Sequence, residues 1–254
     1  MMNNPLRFPL RLAGIGGCLI YGALEIFFLF PLYSKTRKLR AIQLWSHRVL
    51  AACGLRLQTY GRLPDRSRGQ MMICNHISWL DIMAINAAFP GRFVAKDDVA
   101  KWPLIGYLAT QAQTVYVARN RGIGNNQQKI SQVTEALKNG DTVTLFPEGT
   151  STEGRDILPF KTSFFQAPHE AGVPIIPVLC RYPNPDGSSP NPHMAYYGDI
   201  SLWQSICMIA RQPKGVAELH FLEPTEAVED RRQSAENVRR LLQEKQAQLE
   251  STPS

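Results

Sequence analysis

The sequence predicts a single α/β domain, a central mixed sheet flanked by helices, preceded by an N-terminal helical segment that associates with membranes. Three observations carry this expectation. From about residue 63, short apolar runs alternate with segments of helical period, the pattern of a sheet covered by helices. The chain has 254 residues, enough for one sizeable α/β domain with an accessory segment but short for two. Residues 12–33 are apolar and lie between basic residues. An apolar fraction of 44% and a charged fraction of 19% are those of a globular protein,.

The N-terminal segment comes first. Residues 12–33 read LAGIGGCLIYGALEIFFLFPLY, with Glu25 as the only charge. At the helical rise this makes roughly 33 Å, enough to cross a hydrocarbon core of about 30 Å. A carboxylate in mid-span costs on the order of 2–3 kcal/mol, and Gly14, Gly16, Gly17 and Pro31 weaken a straight helix. A re-entrant or surface-lying hairpin therefore competes with a true span. No small-x-small cleavage site follows, and the next stretch is basic,. If the segment spans, Lys35, Arg37, Lys38 and Arg40 outweigh Arg7 and Arg11 and place the body of the protein on the cytoplasmic face of the inner or plasma membrane. Residues 39–55 carry Leu39, Ile42, Trp45, Val49 and Ala52 about one turn apart, as on an amphipathic helix,.

Beyond it, strands are expected at 70–74, 92–96, 113–117, 142–146, 174–179 and 217–222, with a weaker one at 193–197. Helices are expected at 79–89, at 162–172, and along the stripe Ile130, Val133, Ala136 and Leu137, which Gly140 ends as a C-cap. Residues 183–192 (PNPDGSSPNP) form a loop by their turn chemistry,. Residues 229–250 read as a charged, Gln-rich terminal helix in solvent. The division that results is 1–62 for the membrane-associating helical segment, 63–227 for the catalytic domain and 228–254 for a polar C-terminal helix or tail.

The net charge is +7, and +6 of it belongs to residues 1–50. A nucleic-acid binder would carry its charge on the folded domain, so the basic residues around an apolar stretch read as a membrane address, with no nucleic-acid partner. The five cysteines lie far apart without a Cys-x-x-Cys pair, which argues against a zinc site or a secreted disulfide framework.

Two constellations carry chemistry. Asn75-His76-Ile77-Ser78-Trp79-Leu80-Asp81 follows the strand at 70–74. Five residues on a regular helix set side chains about 140° apart, so His76 and Asp81 meet only if His76 sits in the loop and Asp81 in the first turn. Asp81 can then accept the Nδ1 proton and leave Nε2 as a base. Ser78-x-x-Asp81 is also a capping-box pattern, so Asp81 could simply serve the helix terminus. The second constellation, Phe146-Pro147-Glu148-Gly149-Thr150, ends the strand at 142–146, in the kind of loop where α/β proteins bind ligands.

Together these resemble the 1-acylglycerol-3-phosphate acyltransferases and related glycerolipid acyltransferases. That family has four blocks in order: NHxSxxD, a strand ending near an Arg, FPEGT, and a proline-rich apolar strand. Here they match Asn75–Asp81, Thr114–Asn120, Phe146–Thr150 and Val173–Val178, with Pro159-Phe160-Lys161 after the third. The resemblance covers roughly residues 63–182. It implies transfer of a fatty acyl chain from acyl-CoA or acyl-carrier protein, as co-substrate, to the hydroxyl of a lysolipid at a membrane, without metal or other cofactor. His76 would be the general base and Asp81 its orienting partner. Arg119, Glu148, Gly149 and Thr150 would hold the acceptor head group, with Lys96 and Lys161 as partners for an anion. The family usually has Arg after FPEGT, a residue associated with the acceptor phosphate, where this chain has Ser151-Thr152. The run FPEGTSTEG is similar to the branch that acylates lyso-ornithine lipid, which stands as the alternative to 1-acylglycerol-3-phosphate. Two remoter readings remain, a lipid hydrolase using Ser151 and a membrane-bound binding module without turnover.

Overall fold

The computed structural model describes residues 6–101, 105–117 and 123–251. Its sheet has seven strands, β1 (Leu55–Tyr60), β2 (Gln70–Cys74), β3 (Arg92–Lys96), β4 (Val115–Val117), β5 (Thr142–Leu145), β6 (Ile175–Arg181) and β7 (Gly215–Phe221), in the order β1-β7-β6-β2-β5-β3-β4. Neighbours are parallel except β6 and β7, which makes the sheet mixed, as expected. β2 reads QMMIC and is buried along its whole length. Such an uninterrupted apolar run is the mark of a parallel strand covered on both faces.

Eight α-helices are described: α1 (Arg7–Phe28), α2 (Lys35–Cys53), α3 (Leu80–Ala88), α4 (Ile105–Gln111), α5 (Ile123–Lys138), α6 (Gln166–Ala171), α7 (Leu202–Arg211) and α8 (Arg231–Ser251). Two clusters of buried side chains lie on opposite faces of the sheet. One gathers Val49 and Leu50 of α2 with Met72 and Cys74 of β2 and Ile85 of α3. The other gathers Met71 and Ile73 of β2 with Val133 and Leu137 of α5 and Val238 and Leu242 of α8. Alternate residues of β2 thus enter opposite clusters, as the period of a strand requires.

The structure departs from the sequence expectations in several places. β1 lies within 1–62, yet it pairs with β7 from Leu55↔Gly215 to Tyr60↔His220, so the segment that begins the chain also supplies an edge strand of the sheet. LRLQTY is half polar, as suits an edge strand that is covered less, and no strand was expected there,. Residues 193–197 form no strand. They cross the sheet's carboxyl edge as a loop, tied by Tyr196 N–H donating to the Ile77 carbonyl at 2.8 Å. α7 was not expected, although Ser201 and Gln204 close a capping box at its start. α8 is no solvated tail. Ala235, Val238 and Leu242 are buried on one face, while Arg239 Nη2 donates to the Ile157 carbonyl at 2.9 Å and Gln246 Nε2 to the Arg155 carbonyl at 2.8 Å.

α1 packs antiparallel on α2. Gly22 leaves room for the Trp45 indole, which a Cβ there would strike, and Trp45 Nε1 donates to the Cys18 carbonyl at 2.7 Å. Arg11 ties the helix's other end to the Gln212 carbonyl at 2.6 Å. The opposite face of α1 is bare. Leu10, Ile20, Leu24, Phe27 and Phe28 are each more than half exposed. Among the described residues, α1 is the one helix long and apolar enough to cross a membrane.

Since α8 belongs to the core, Leu242→Ala should lower unfolding free energy by about 2–5 kcal/mol. Gln243→Ala, on the exposed face of the same helix, should change it by no more than about 0.5 kcal/mol. Chemical denaturation of the two variants checks this.

Candidate active site

β5, β2 and β6 lie side by side and run in the same direction, so their carboxyl ends deliver three consecutive segments to one place. Residues 75–81 follow β2, 146–150 follow β5, and Tyr182 follows β6. The carboxyl edge is where open α/β sheets bind ligands.

His76 leaves the strand in a loop, and Asp81 enters the first turn of α3. The chain folds between them, bringing His76 Nδ1 within 2.8 Å of Asp81 Oδ2. Asp81 is fully buried, whereas the His76 side chain is 21% exposed. The same Oδ2 accepts the N–H groups of Ile77 at 2.7 Å and Ser78 at 2.9 Å, and Oδ1 accepts the Tyr182 hydroxyl at 2.7 Å. Asp81 therefore serves the turn and the imidazole together. The expected capping box is only half made, because Asp81 N–H donates to the Ser78 carbonyl and not to its hydroxyl. An ionised carboxylate can only accept, so in this contact Nδ1 is the donor and Nε2 is the ring nitrogen not engaged by Asp81,. The ring is held flat against Phe146, with centroids 4.2 Å apart and planes at 20°.

Glu148 is buried, and both its oxygens are occupied. Oε1 accepts His76 N–H at 2.8 Å and Oε2 accepts Leu158 N–H at 2.9 Å. Burial pushes its carboxyl above the usual range, opposed first by the Leu158 and then by the His76 N–H. Glu148 is thereby fastened to the backbone of His76 on one side and of Leu158 on the other. Gly149 turns the chain at φ +70°, with the Lys161 ammonium lying where a Cβ would stand. Lys161 N–H in turn donates to the Pro147 carbonyl at 2.9 Å. Thr150 is exposed beside this turn, and Lys96 is exposed at the end of β3 on the same edge. Arg119 lies outside the described residues. Ser151 donates its hydroxyl to the Tyr196 carbonyl, so it is engaged with the loop at 193–197 and is no poised hydrolase nucleophile. Among the described residues, no group of three or more His, Cys, Asp or Glu side chains could hold a metal ion.

Sequence reasoning passed over two residues. Asn75 reaches the next strand, its Oδ1 accepting Cys180 N–H at 2.7 Å and its Nδ2 donating to the Cys180 carbonyl at 3.1 Å. It clasps the first block to β6 like one more rung of the sheet. Tyr182 is the second; nothing in its sequence context distinguishes it from a core tyrosine.

A mixed α/β sheet that sets a His–Asp pair and a Phe-Pro-Glu-Gly-Thr turn at one edge defines an acyltransferase. The acyltransferase family model matches residues 56–181, and the chain belongs to that family. It is 32% identical over 182 residues to a 1-acyl-sn-glycerol-3-phosphate acyltransferase of Neisseria meningitidis, covering 71% of this chain and 70% of that one. It is 36% identical over 182 residues to a lyso-ornithine lipid O-acyltransferase of Rhodobacter capsulatus, covering 69% and 63%. The crystal structure of the 1-acyl-sn-glycerophosphate acyltransferase PlsC from Thermotoga maritima shares the fold, with a TM-score of 0.67 at 23% identity over 96% of both chains.

Glu148→Gln replaces one of two acceptor oxygens by an amide that repels the N–H it faces. An unmatched buried donor costs about 1–3 kcal/mol. The variant should lose that much stability and much of its turnover together, and calorimetry alongside an acyl-transfer assay checks whether the two losses coincide.

Proposed function

We propose that this enzyme moves a fatty acyl chain from acyl-CoA or acyl-carrier protein to the free hydroxyl of a lysolipid, with 1-acylglycerol-3-phosphate as the first acceptor. The observation that carries the reading is the His76–Asp81 pair, whose buried carboxylate holds the proton on Nδ1 and leaves Nε2 as a base. Nε2 takes the acceptor's hydroxyl proton as the oxygen attacks the thioester carbonyl. When the tetrahedral adduct collapses, the carbon–sulfur bond breaks and the proton passes from His76 to the departing thiolate. Asp81 stabilises the imidazolium between the two steps. No protein nucleophile is needed. Lys161, Lys96 and Arg119 are the cations proposed for the phosphate, each charge-assisted bond contributing roughly 1.5–3 kcal/mol.

Ser151 supports a second reading. It stands where the related enzymes usually carry Arg, and its hydroxyl is spent on the Tyr196 carbonyl. A site with one cation fewer suits the zwitterionic head of lyso-ornithine lipid, and lyso-ornithine lipid O-acyltransferases are among the relatives. Turnover of labelled acyl-CoA with each lysolipid separates the two. The first reading expects higher kcat/KM with 1-acylglycerol-3-phosphate, and strong preference for lyso-ornithine lipid replaces it with the second. In either case His76→Ala should cut kcat by about 10²–10⁴-fold, and retention of more than about a tenth of wild-type turnover would sink the mechanism.

We further propose that the protein binds the cytoplasmic membrane surface through α1, without spanning the bilayer. The helix is docked on α2 and tied to Gln212, so only its bare face is offered to lipid. Lys35, Arg37, Lys38 and Arg40 follow it, suited to anionic head groups. Because Ile15 on the docked face belongs to the core, removing the helix would harm the fold. Substituting the exposed face is the cleaner test. Leu24→Glu, Phe27→Glu and Phe28→Glu combined should release the protein from anionic vesicles while preserving turnover on acceptor dispersed in detergent. Sedimentation with vesicles measures the first and the transfer assay the second. Undiminished vesicle binding would place the anchor elsewhere.

A further inference from the structure

We propose that Tyr182 is a positioning residue for the His76–Asp81 pair, fixing the Asp81 carboxylate so that its other oxygen stays aimed at Nδ1. The inference rests on the reading of His76 as the base. Tyr182 is 1% exposed, and its hydroxyl donates to Asp81 Oδ1 at 2.7 Å. The other three donors to Asp81, His76 Nδ1 and the N–H groups of Ile77 and Ser78, all converge on Oδ2. Among the described residues, Tyr182 alone engages Oδ1. A carboxylate held at one oxygen can turn about its carbon–carbon bond; held at both, it cannot. The tyrosine therefore sets the plane in which Oδ2 meets the imidazole.

Its own position is well determined. Cys180 and Tyr182 stand two residues apart along the strand direction, hence on one face of the sheet. Asn75 grips the backbone of Cys180, while the Tyr182 carbonyl accepts Asn191 N–H at 2.8 Å. Arg181 between them points to the other face and pairs with Glu218 of β7 at 3.1 Å. Burial first, and then the nearby Asp81 charge, push the phenol well above its ordinary range, so the donor proton is never lost at working pH. A structural tyrosine could satisfy its hydroxyl on any backbone carbonyl. This one spends it on a buried carboxylate that touches the proposed base. The proline-rich strand β6 thereby gains a chemical role, since it ends by delivering this hydroxyl.

The test is a double-mutant cycle of wild type, Tyr182→Phe, Asp81→Asn and the pair, with kcat and KM measured at saturating acyl donor. Phe keeps the ring and its packing but leaves Asp81 Oδ1 without its donor, so the variant should fold cooperatively with a lowered unfolding midpoint,. Tyr182→Phe should lower kcat by about tenfold, the effect of one hydrogen bond to a charged group, with KM unchanged. In the Asp81→Asn background the same substitution should change kcat by less than about twofold, because there is no carboxylate left to orient. A wild-type kcat for Tyr182→Phe, or the same tenfold loss on both backgrounds, overturns the proposal. A readout independent of turnover is the ¹⁵N spectrum of labelled histidine, with the His76 signals identified by their loss in His76→Ala. Wild type should show one tautomer with Nδ1 protonated, and Tyr182→Phe a mixture; an unchanged tautomer ratio overturns the proposal. Should His76→Ala itself remain active, the reading of His76 as base fails, an outcome separate from any result at Tyr182.

Discussion

Everything at the carboxyl edge of this sheet is arranged around one buried carboxylate. Asp81 is fully removed from water and accepts four hydrogen bonds, from a side-chain imidazole, two backbone N–H groups and a phenol. An ionised group in such a place is tolerable only when its lone pairs are matched. That requirement is strict, and it reaches far along the chain. It fixes the turn at 77–78, the start of α3, the rotamer of His76 and the end of β6. The loop that carries the imidazole cannot drift while the carboxylate stays satisfied.

Glu148 repeats the device one strand away. Its two oxygens join the His76 N–H to the Leu158 N–H, so the turn after β5 holds both the loop after β2 and the chain at 157–158. That last stretch is braced from behind by α8, through Arg239 on the Ile157 carbonyl and Gln246 on the Arg155 carbonyl. The helix α8 is thus three hydrogen bonds from the His76 backbone. The polar residues that make it look like a solvated tail include the ones that hold the loop.

This explains what the sequence could and could not disclose. Buried parallel strands such as QMMIC announce themselves, because they are apolar on both faces. The His76–Asp81 pair and the Phe-Pro-Glu-Gly-Thr turn were legible as motifs, and the fold sets both on adjacent strands. β1 was not legible, since an edge strand needs less cover and its residues alternate with polar ones. Nor was Tyr182, whose partner lies 101 residues away; no local pattern encodes a contact made only when β2 and β6 lie together. Glu148 was legible as a site residue, but its contacts with the His76 and Leu158 N–H groups were not, because such backbone donors are common to nearly every residue. The stretch 193–197 has the apolar texture of a strand for another reason. Met194 and Ala195 are buried beneath the loop at 76–78 and bring no ladder with them.

The same rigidity bears on the proposed approach of the sheet to a lysolipid in a membrane. α1 is docked on α2, and α2 in turn is fastened to α3, where Gln43 Nε2 donates to the Ala87 and Ala88 carbonyls at 2.9 and 3.1 Å. Those are orphan acceptors at the end of α3, the helix whose first turn carries Asp81,. The apolar face proposed to meet lipid is therefore joined to the His76–Asp81 pair through two helix contacts. With α1 in a membrane surface as proposed, depth of insertion and height of the imidazole above it would be one quantity. A lysolipid keeps its acyl chain in the bilayer and offers a hydroxyl near the head-group plane. On the proposed reading, a base held at constant height would meet that hydroxyl without extracting the lipid, and would spare the cost of exposing an acyl chain, about 0.8 kcal/mol for each methylene.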